Sequence, residues 1–196
     1  GILSAPDFRD YQPQLRPVIA FDWRGRTILA ASPPSSGGIF LQQVLGSLDG
    51  FPLRMWGFRD ARSVQLIGEA TSAAFRDRNR WLGDPAGRDF DLAALVAPQY
   101  LRALRRNLSP QRYTRPDRGL PQPFTEHLET THFSVVDGDG AAVSCTTTLN
   151  GAYGAKVMAP GGFFMNNEMD DFAAKPGEAN QFGLVQSAYN AVIAGR

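Results

Sequence analysis

The chain has 196 residues, with 20 basic and 19 acidic side chains, a net charge of +1 and 43% hydrophobic residues, enough for one sizeable core. That balance offers no basic excess for nucleic acid, and no apolar run approaches the roughly 18 residues that would span a membrane. Only Lys156 and Lys175 are lysines, so the Arg-rich usage reads as coding bias, and the single cysteine, Cys145, rules out an internal disulfide.

Val18 to Trp23 and Thr27 to Ala31 flank Arg24-Gly25-Arg26 and predict a β-hairpin. Ile39 to Leu48 reads as a helix with Leu41, Val44, Leu45 and Leu48 on one face, and Ser35-Ser36-Gly37-Gly38 before it reads as a capping loop. Asp60 to Leu82 predicts a longer helix that turns Val64, Ile67, Thr71, Ala74 and Phe75 inward and stops at Gly83 and Pro85. A shorter helix is expected over about Pro98 to Asn107. From Leu108 to Glu129 the chain holds Pro110, Pro116, Pro121 and Pro123 without periodicity, which predicts an exposed loop. The basic cluster Arg102, Arg105, Arg106, Arg112, Arg115 and Arg118 reads as a solvated helix end and linker.

The next segment carries the chemistry. Thr130 to Val136 and Ala141 to Asn150 are rich in β-branched and hydroxyl side chains, with Asp137-Gly138-Asp139-Gly140 between them, so a second hairpin is predicted. A three-residue loop, Gly138 to Gly140, makes partner numbers sum to 278 and sets Thr130 opposite Thr148. Alternation then gives one face Thr130, His132, Ser134, Ser144, Thr146, Thr148 and Asn150, a site-like face. The other receives Phe133, Val135, Val143, Cys145 and Leu149, a core-like face with Cys145 as filler. A one-residue slip would reverse the two.

TTHFSVVDGDGAAVSCTTTLNGAYG followed by FFMNNEMDDFAAKPG resembles the start of the small subunit of γ-glutamyltranspeptidases, which are N-terminal nucleophile (Ntn) hydrolases. Upstream, SPPSSGGIFLQQVL and AAFRDRNRWLGDP resemble the C-terminal part of the same family's large subunit. The resemblance implies an α/β (α+β) fold, part of a four-layer αββα sandwich. It also implies a division at one bond: residues 1–129, with the processing linker 108–129, from the large subunit, and residues 130–196 from the small one.

By that resemblance, Thr130 attacks the carbonyl of Glu129, the precursor cuts itself between Glu129 and Thr130, and the freed α-amine serves as general base for the Thr130 hydroxyl. Thr148 matches the second Thr, which orients the nucleophile. Asn150, Glu168 and Asp171 match the positions that hold the donor's α-ammonium, and the chemistry agrees: an ammonium has three donors and no acceptor. Read without the resemblance, Glu168 to Asp171 is a solvated acidic turn, and Asp170 stays structural. Lys175 to Tyr189 aligns with a lid whose gating Tyr is replaced here by Phe182, which has no hydroxyl to hold the lid closed.

The family's carboxylate-binding Arg and Ser-Ser pair and its oxyanion Gly-Gly pair would lie outside this chain. Ser35-Ser36 and Gly37-Gly38 match a different motif. Oxyanion donors are each worth about 10² to 10³ in rate, so the chain alone is expected to be a poor catalyst. Gly1 and Gly195-Arg196 suit a piece of a longer protein. No cofactor is implied and no metal, since His127 and His132 lack partners at ligand spacing and His132 reads as a sheet residue.

The expected activity is γ-glutamyl transfer or hydrolysis on glutathione or a similar small amide, by a heterodimer of the two subunits. An acylase of the same superfamily, acting on a cephalosporin or glutaryl side chain or on poly-γ-glutamate, is the alternative, and a non-catalytic fragment the third reading. Bacterial members are commonly exported, which implies a periplasmic or extracellular location.

Overall fold

A computed structural model describes residues 4–57, 59–83, 91–111, 130–180 and 183–193. The chain divides into two compact units, one of residues 1–14 and 121–171, the other of residues 15–120 and 172–196.

The larger unit opens with β1 (Ile19–Trp23) and β2 (Arg26–Ala30), paired antiparallel from Ile19 opposite Ala30 to Trp23 opposite Arg26. The two-residue turn holds Arg24 and Gly25, both at positive φ, the backbone of a tight hairpin. Helix α2 (Gly37–Leu48) follows. Within the expected capping loop Ser36 occupies the N-cap without a side-chain bond, and the Ser35 hydroxyl accepts the Gly37 N–H at 3.3 Å. Gly38 has a packing reason, because a Cβ there would lie 2.5 Å from the Ala31 carbonyl oxygen and 2.8 Å from Ile19 Cδ1.

After the short α3 (Leu53–Trp56), α4 (Ala61–Trp81) starts at Asp60, whose carboxylate caps the Arg62 N–H and pairs with the Arg62 guanidinium at 2.9 Å. Its inward face differs from the expected one. Ser63, Leu66, Ala70, Ala73, Ala74 and Asp77 are buried, while Val64, Ile67 and Phe75 are largely exposed. Small residues win this face because they let α4 pack closely on α2, where Val44 and Leu48 meet Leu66, Ala70 and Ala74. On α2 itself Leu41 is exposed and Ile39 takes its place in the core.

A 3-10 turn (Leu92–Val96) and α5 (Pro98–Arg106) follow, and Leu82 and Leu95 join Ile39 in a second cluster. Between the helices lies a buried polar junction that the apolar patterning does not reveal. Asp77 Oδ2 accepts from Gln43 Nε2 and from the Tyr100 hydroxyl, each at 2.7 Å, and Gln43 also donates to the Leu95 carbonyl at 3.1 Å. Burial, together with the bond to Asp77, pushes the Tyr100 phenol up to about 12.

In the smaller unit a short α1 (Ala5–Arg9) is fixed by a capping box between Ser4 and Asp7, and Phe8 meets Phe163 edge-on at 6.1 Å. β3 (Thr131–Val136) and β4 (Ala142–Thr147) form the second hairpin, from Thr131 opposite Thr147 to Val136 opposite Ala142, so every pair sums to 278 as the three-residue loop requires. Asp137 Oδ1 accepts the N–H groups of Asp139 and Ala141, and Gly140 at φ 85° completes the turn. The expected core face is not covered: Phe133, Val135 and Val143 remain exposed and Cys145 is half-buried, since a two-stranded ribbon cannot bury its own apolar side.

Candidate active site

The hairpin register decides what meets at its open end. Thr130 precedes β3 and Thr148 follows β4, and Thr130 Oγ1 lies 3.4 Å from Thr148 Oγ1, with Thr130 as donor. Thr148 Oγ1 also accepts the backbone N–H of Asn150 at 3.0 Å. Further along the same face, His132 Nδ1 is 2.7 Å from Thr146 Oγ1, and its Nε2 is 3.1 Å from Ser144 Oγ and 3.3 Å from Ser134 Oγ. The polar side chains therefore form a cross-strand ladder through His132, Ser134, Ser144 and Thr146, with the Thr130–Thr148 contact as a separate rung at its open end.

Beyond Thr148 the chain leaves the sheet. Asn150 sits at φ 71°, a left-handed conformation that Asn tolerates better than most residues. The following turn packs on residues 165–167. A Cβ on Gly154, itself at φ 54°, would lie 2.2 Å from the Met165 carbonyl oxygen, so this position requires glycine. Asn150 Nδ2 donates to the Asn167 carbonyl at 3.1 Å, and Asn167 Oδ1 accepts the Gly151 N–H at 2.8 Å. This brings Asn150 beside the 3-10 turn Glu168–Asp171, whose first N–H is capped by Asn166 Oδ1 at 3.0 Å.

Glu168 is half-buried within that turn. Desolvation raises its carboxyl above the ordinary value, and the hydrogen bond and charge of Asp171 push it the same way. Two acids held this close favour a shared proton or a cation between them. Thr130, Thr148, Asn150, Glu168 and Asp171 thus all belong to one unit, joined through Thr148 and Asn167. Glu129 and Phe182 lie outside the described residues. Sequence reasoning missed Asn167; its signal is the amide pair Asn166-Asn167 directly before Glu168, since short amides bond to nearby backbone where a turn begins.

Among the described residues, no group of three or more His, Cys, Asp or Glu side chains is arranged to hold a metal ion, and no helix is long and apolar enough to cross a membrane.

The family profile described as Gamma-glutamyltranspeptidase matches residues 1–196. The chain belongs to the γ-glutamyltranspeptidase family. A glutathione hydrolase proenzyme of Pseudomonas sp. (strain A14) is 40% identical over 203 residues, covering all of this chain and 34% of that protein. This chain therefore spans about a third of the length of that relative. Among solved structures, Helicobacter pylori γ-glutamyltranspeptidase superposes with a TM-score of 0.54 at 25% identity, over 64% of this chain and 38% of its own. Cephalosporin acylase from Bacillus halodurans superposes over the whole chain and 32% of its own length, with a TM-score of 0.70 at 22% identity, a likeness of fold alone. The mixed helix and strand architecture is thus the Ntn-hydrolase fold shared by γ-glutamyltranspeptidases and these acylases, of which this chain is a part.

Proposed function

We propose that this chain carries the nucleophile and the donor-ammonium site of an enzyme that transfers or hydrolyses γ-glutamyl groups of glutathione or similar amides. The observation that carries the reading is the 3.4 Å approach of Thr130 Oγ1 to Thr148 Oγ1, with Asn150 bonded to the same Thr148 oxygen. In the precursor, Thr130 Oγ attacks the Glu129 carbonyl carbon, the C–N bond breaks, and the resulting ester is hydrolysed to a Glu129 carboxylate and a free Thr130 α-amine. Cleavage makes the base: an α-amine titrates near about 8, within reach of neutral pH, whereas an amide nitrogen cannot take a proton.

In turnover the Thr130 α-amine accepts the hydroxyl proton as Oγ attacks the γ-carbonyl of the donor. The leaving amine receives that proton, and a γ-glutamyl ester remains on Thr130. Water or an acceptor amine then releases it. Thr148 donates to or accepts from Thr130 Oγ and so fixes its direction of attack. The donor's α-ammonium is held by Asn150, Glu168 and Asp171, whose mutual repulsion it relieves. Residues 1–129 and 130–196 then belong to the two subunits of a heterodimer, with Phe182 in the lid segment, and the site of action is periplasmic or extracellular, in keeping with the exported members of the family. The ammonium contacts favour a glutamyl donor over the glutaryl group of an acylase substrate.

The test is γ-glutamyl anilide release by the full-length protein together with intact mass. A new N-terminus at Thr130 and steady release are expected, and Thr130→Ala abolishes both. Cleavage at another bond, or undiminished cleavage in that variant, removes Thr130 as nucleophile.

A further inference from the structure

Asn167 carries none of the chemistry assigned above, yet three hydrogen bonds tie it to the stretch that holds Asn150. Its N–H donates to the Leu149 carbonyl at 3.1 Å, its Oδ1 accepts the Gly151 N–H at 2.8 Å, and its carbonyl accepts from Asn150 Nδ2 at 3.1 Å. The fit is close, since a Cβ on Gly151 would lie 3.3 Å from Asn167 Oδ1. The third bond fixes the direction of an amide. A backbone carbonyl only accepts, so the Asn150 side chain must turn its nitrogen toward Asn167, which leaves Oδ1 as the outward end. An ammonium only donates, and Oδ1 is the end it requires. Turned the other way, Asn150 would oppose the donor with N–H groups.

We propose that Asn167 is a positioning residue for donor selectivity: it locks the Asn150 amide with Oδ1 toward the donor's α-ammonium and sets that acceptor beside Glu168. The inference rests on the reading of Asn150, Glu168 and Asp171 as the ammonium site. The left-handed backbone of Asn150 is held by the same clip, because the bonds to Leu149, Asn150 and Gly151 bracket the strained residue on both sides.

The experiment compares kcat/KM for γ-glutamyl anilide and for glutaryl anilide, which lacks the ammonium, in the complete enzyme and in its Asn167→Ala and Asn167→Asp variants. Asn167→Ala keeps the backbone carbonyl that accepts from Asn150 Nδ2 but leaves the Gly151 N–H without its acceptor, which loosens the segment carrying Asn150 against that carbonyl. The glutamyl-to-glutaryl ratio is expected to fall about tenfold, equivalent to ~1.4 kcal/mol, while glutaryl turnover and the new N-terminus at Thr130 are retained. Asn167→Asp keeps an acceptor at the same atom and restores most of the ratio. An unchanged ratio in Asn167→Ala, or an equal loss on both donors, overturns the inference. A parent enzyme that cleaves at Thr130 but shows no preference between the donors defeats the ammonium-site reading itself, and the inference with it.

Discussion

In the helical unit Leu66 is 0% exposed and Gln43 1%, whereas on the hairpin of β3 and β4 Phe133 stays 48% exposed and Val143 60%. One region is held by burial, the other by backbone pairing and side-chain hydrogen bonds across an open ribbon. The difference separates two tasks. Tertiary packing sets how firmly α2, α4 and α5 hold together, while the spacing of Thr130 and Thr148 follows from a local rule, the three-residue loop and its register. The approach of Thr130 to Thr148 therefore needs little core within its own unit.

The sharpest way to break that comparison is to exchange consequences. Thr130→Ala should remove self-cleavage and turnover completely, yet leave thermal stability within about 0.5 kcal/mol, because an exposed hydroxyl is deleted and no cavity opens. Leu66→Ala should do the reverse and cost about 2 to 5 kcal/mol of unfolding free energy, since its side chain is wholly enclosed by Val44, Leu48, Ala70 and Ala74. Calorimetry of full-length variants alongside anilide release checks both. A marked fall in melting temperature for Thr130→Ala would show that the ribbon depends on its polar ladder for more than register.

What could be read from the sequence follows the same division. The hairpin register was legible because a loop length fixes it, and α4 was legible in extent because Asp60 starts it and Gly83 follows its end. Its buried face was not, since Val64 and Ile67 outrank Ser63 and Ala70 in hydrophobicity while close helix approach rewards small side chains. Gln43 and Asp77 escaped for a related reason: patterning treats polar residues as outward, and only a partner such as Tyr100 on another element makes their burial tolerable. At the candidate site the meeting of Thr130 and Thr148 was legible from the register, whereas Asn150, expected on the same face of the strand, lies beyond the strand's end at a left-handed φ. Asn167 was not legible, because its role consists of hydrogen bonds to residues 16 to 18 positions away.

Glu168 offers a finer test, of charge at the hairpin's end. Its carboxyl is raised, so the folded chain holds that proton more tightly than the unfolded chain does, and the associated stability is present at low pH and lost as pH rises through the raised value. An ammonium reverses the preference, because it favours both carboxylates ionised. Affinity for a non-hydrolysable γ-glutamyl analogue should therefore strengthen as pH rises through the raised Glu168 value, by up to about tenfold per pH unit, and then level off. Glu168→Gln should flatten the profile. If the parent profile is already flat across the acid range, the pair formed by Glu168 and Asp171 does not meet the ligand's charge.

The smallest effect concerns the turn that sets the register. Gly140 lies at φ 85°, and a Cβ built there meets no atom within 4 Å, so Gly140→Ala introduces backbone strain and nothing else. That strain costs about 1 kcal/mol. Asp137 Oδ1 still accepts from Asp139 and Ala141, and the Asp137 N–H still reaches the Ala141 carbonyl at 3.0 Å, so the loop keeps its length and Thr130 stays opposite Thr148. Self-cleavage and turnover should accordingly remain within a few-fold of the parent while the melting temperature drops slightly. Gly154→Ala is the contrasting variant, because its Cβ would meet the Met165 carbonyl oxygen at 2.2 Å and force apart the segments that carry Asn150 and Glu168. If Gly140→Ala lost as much donor affinity as Gly154→Ala, the register would depend on the glycine itself and not on loop length, and the local rule would fail at the place where it was most directly read.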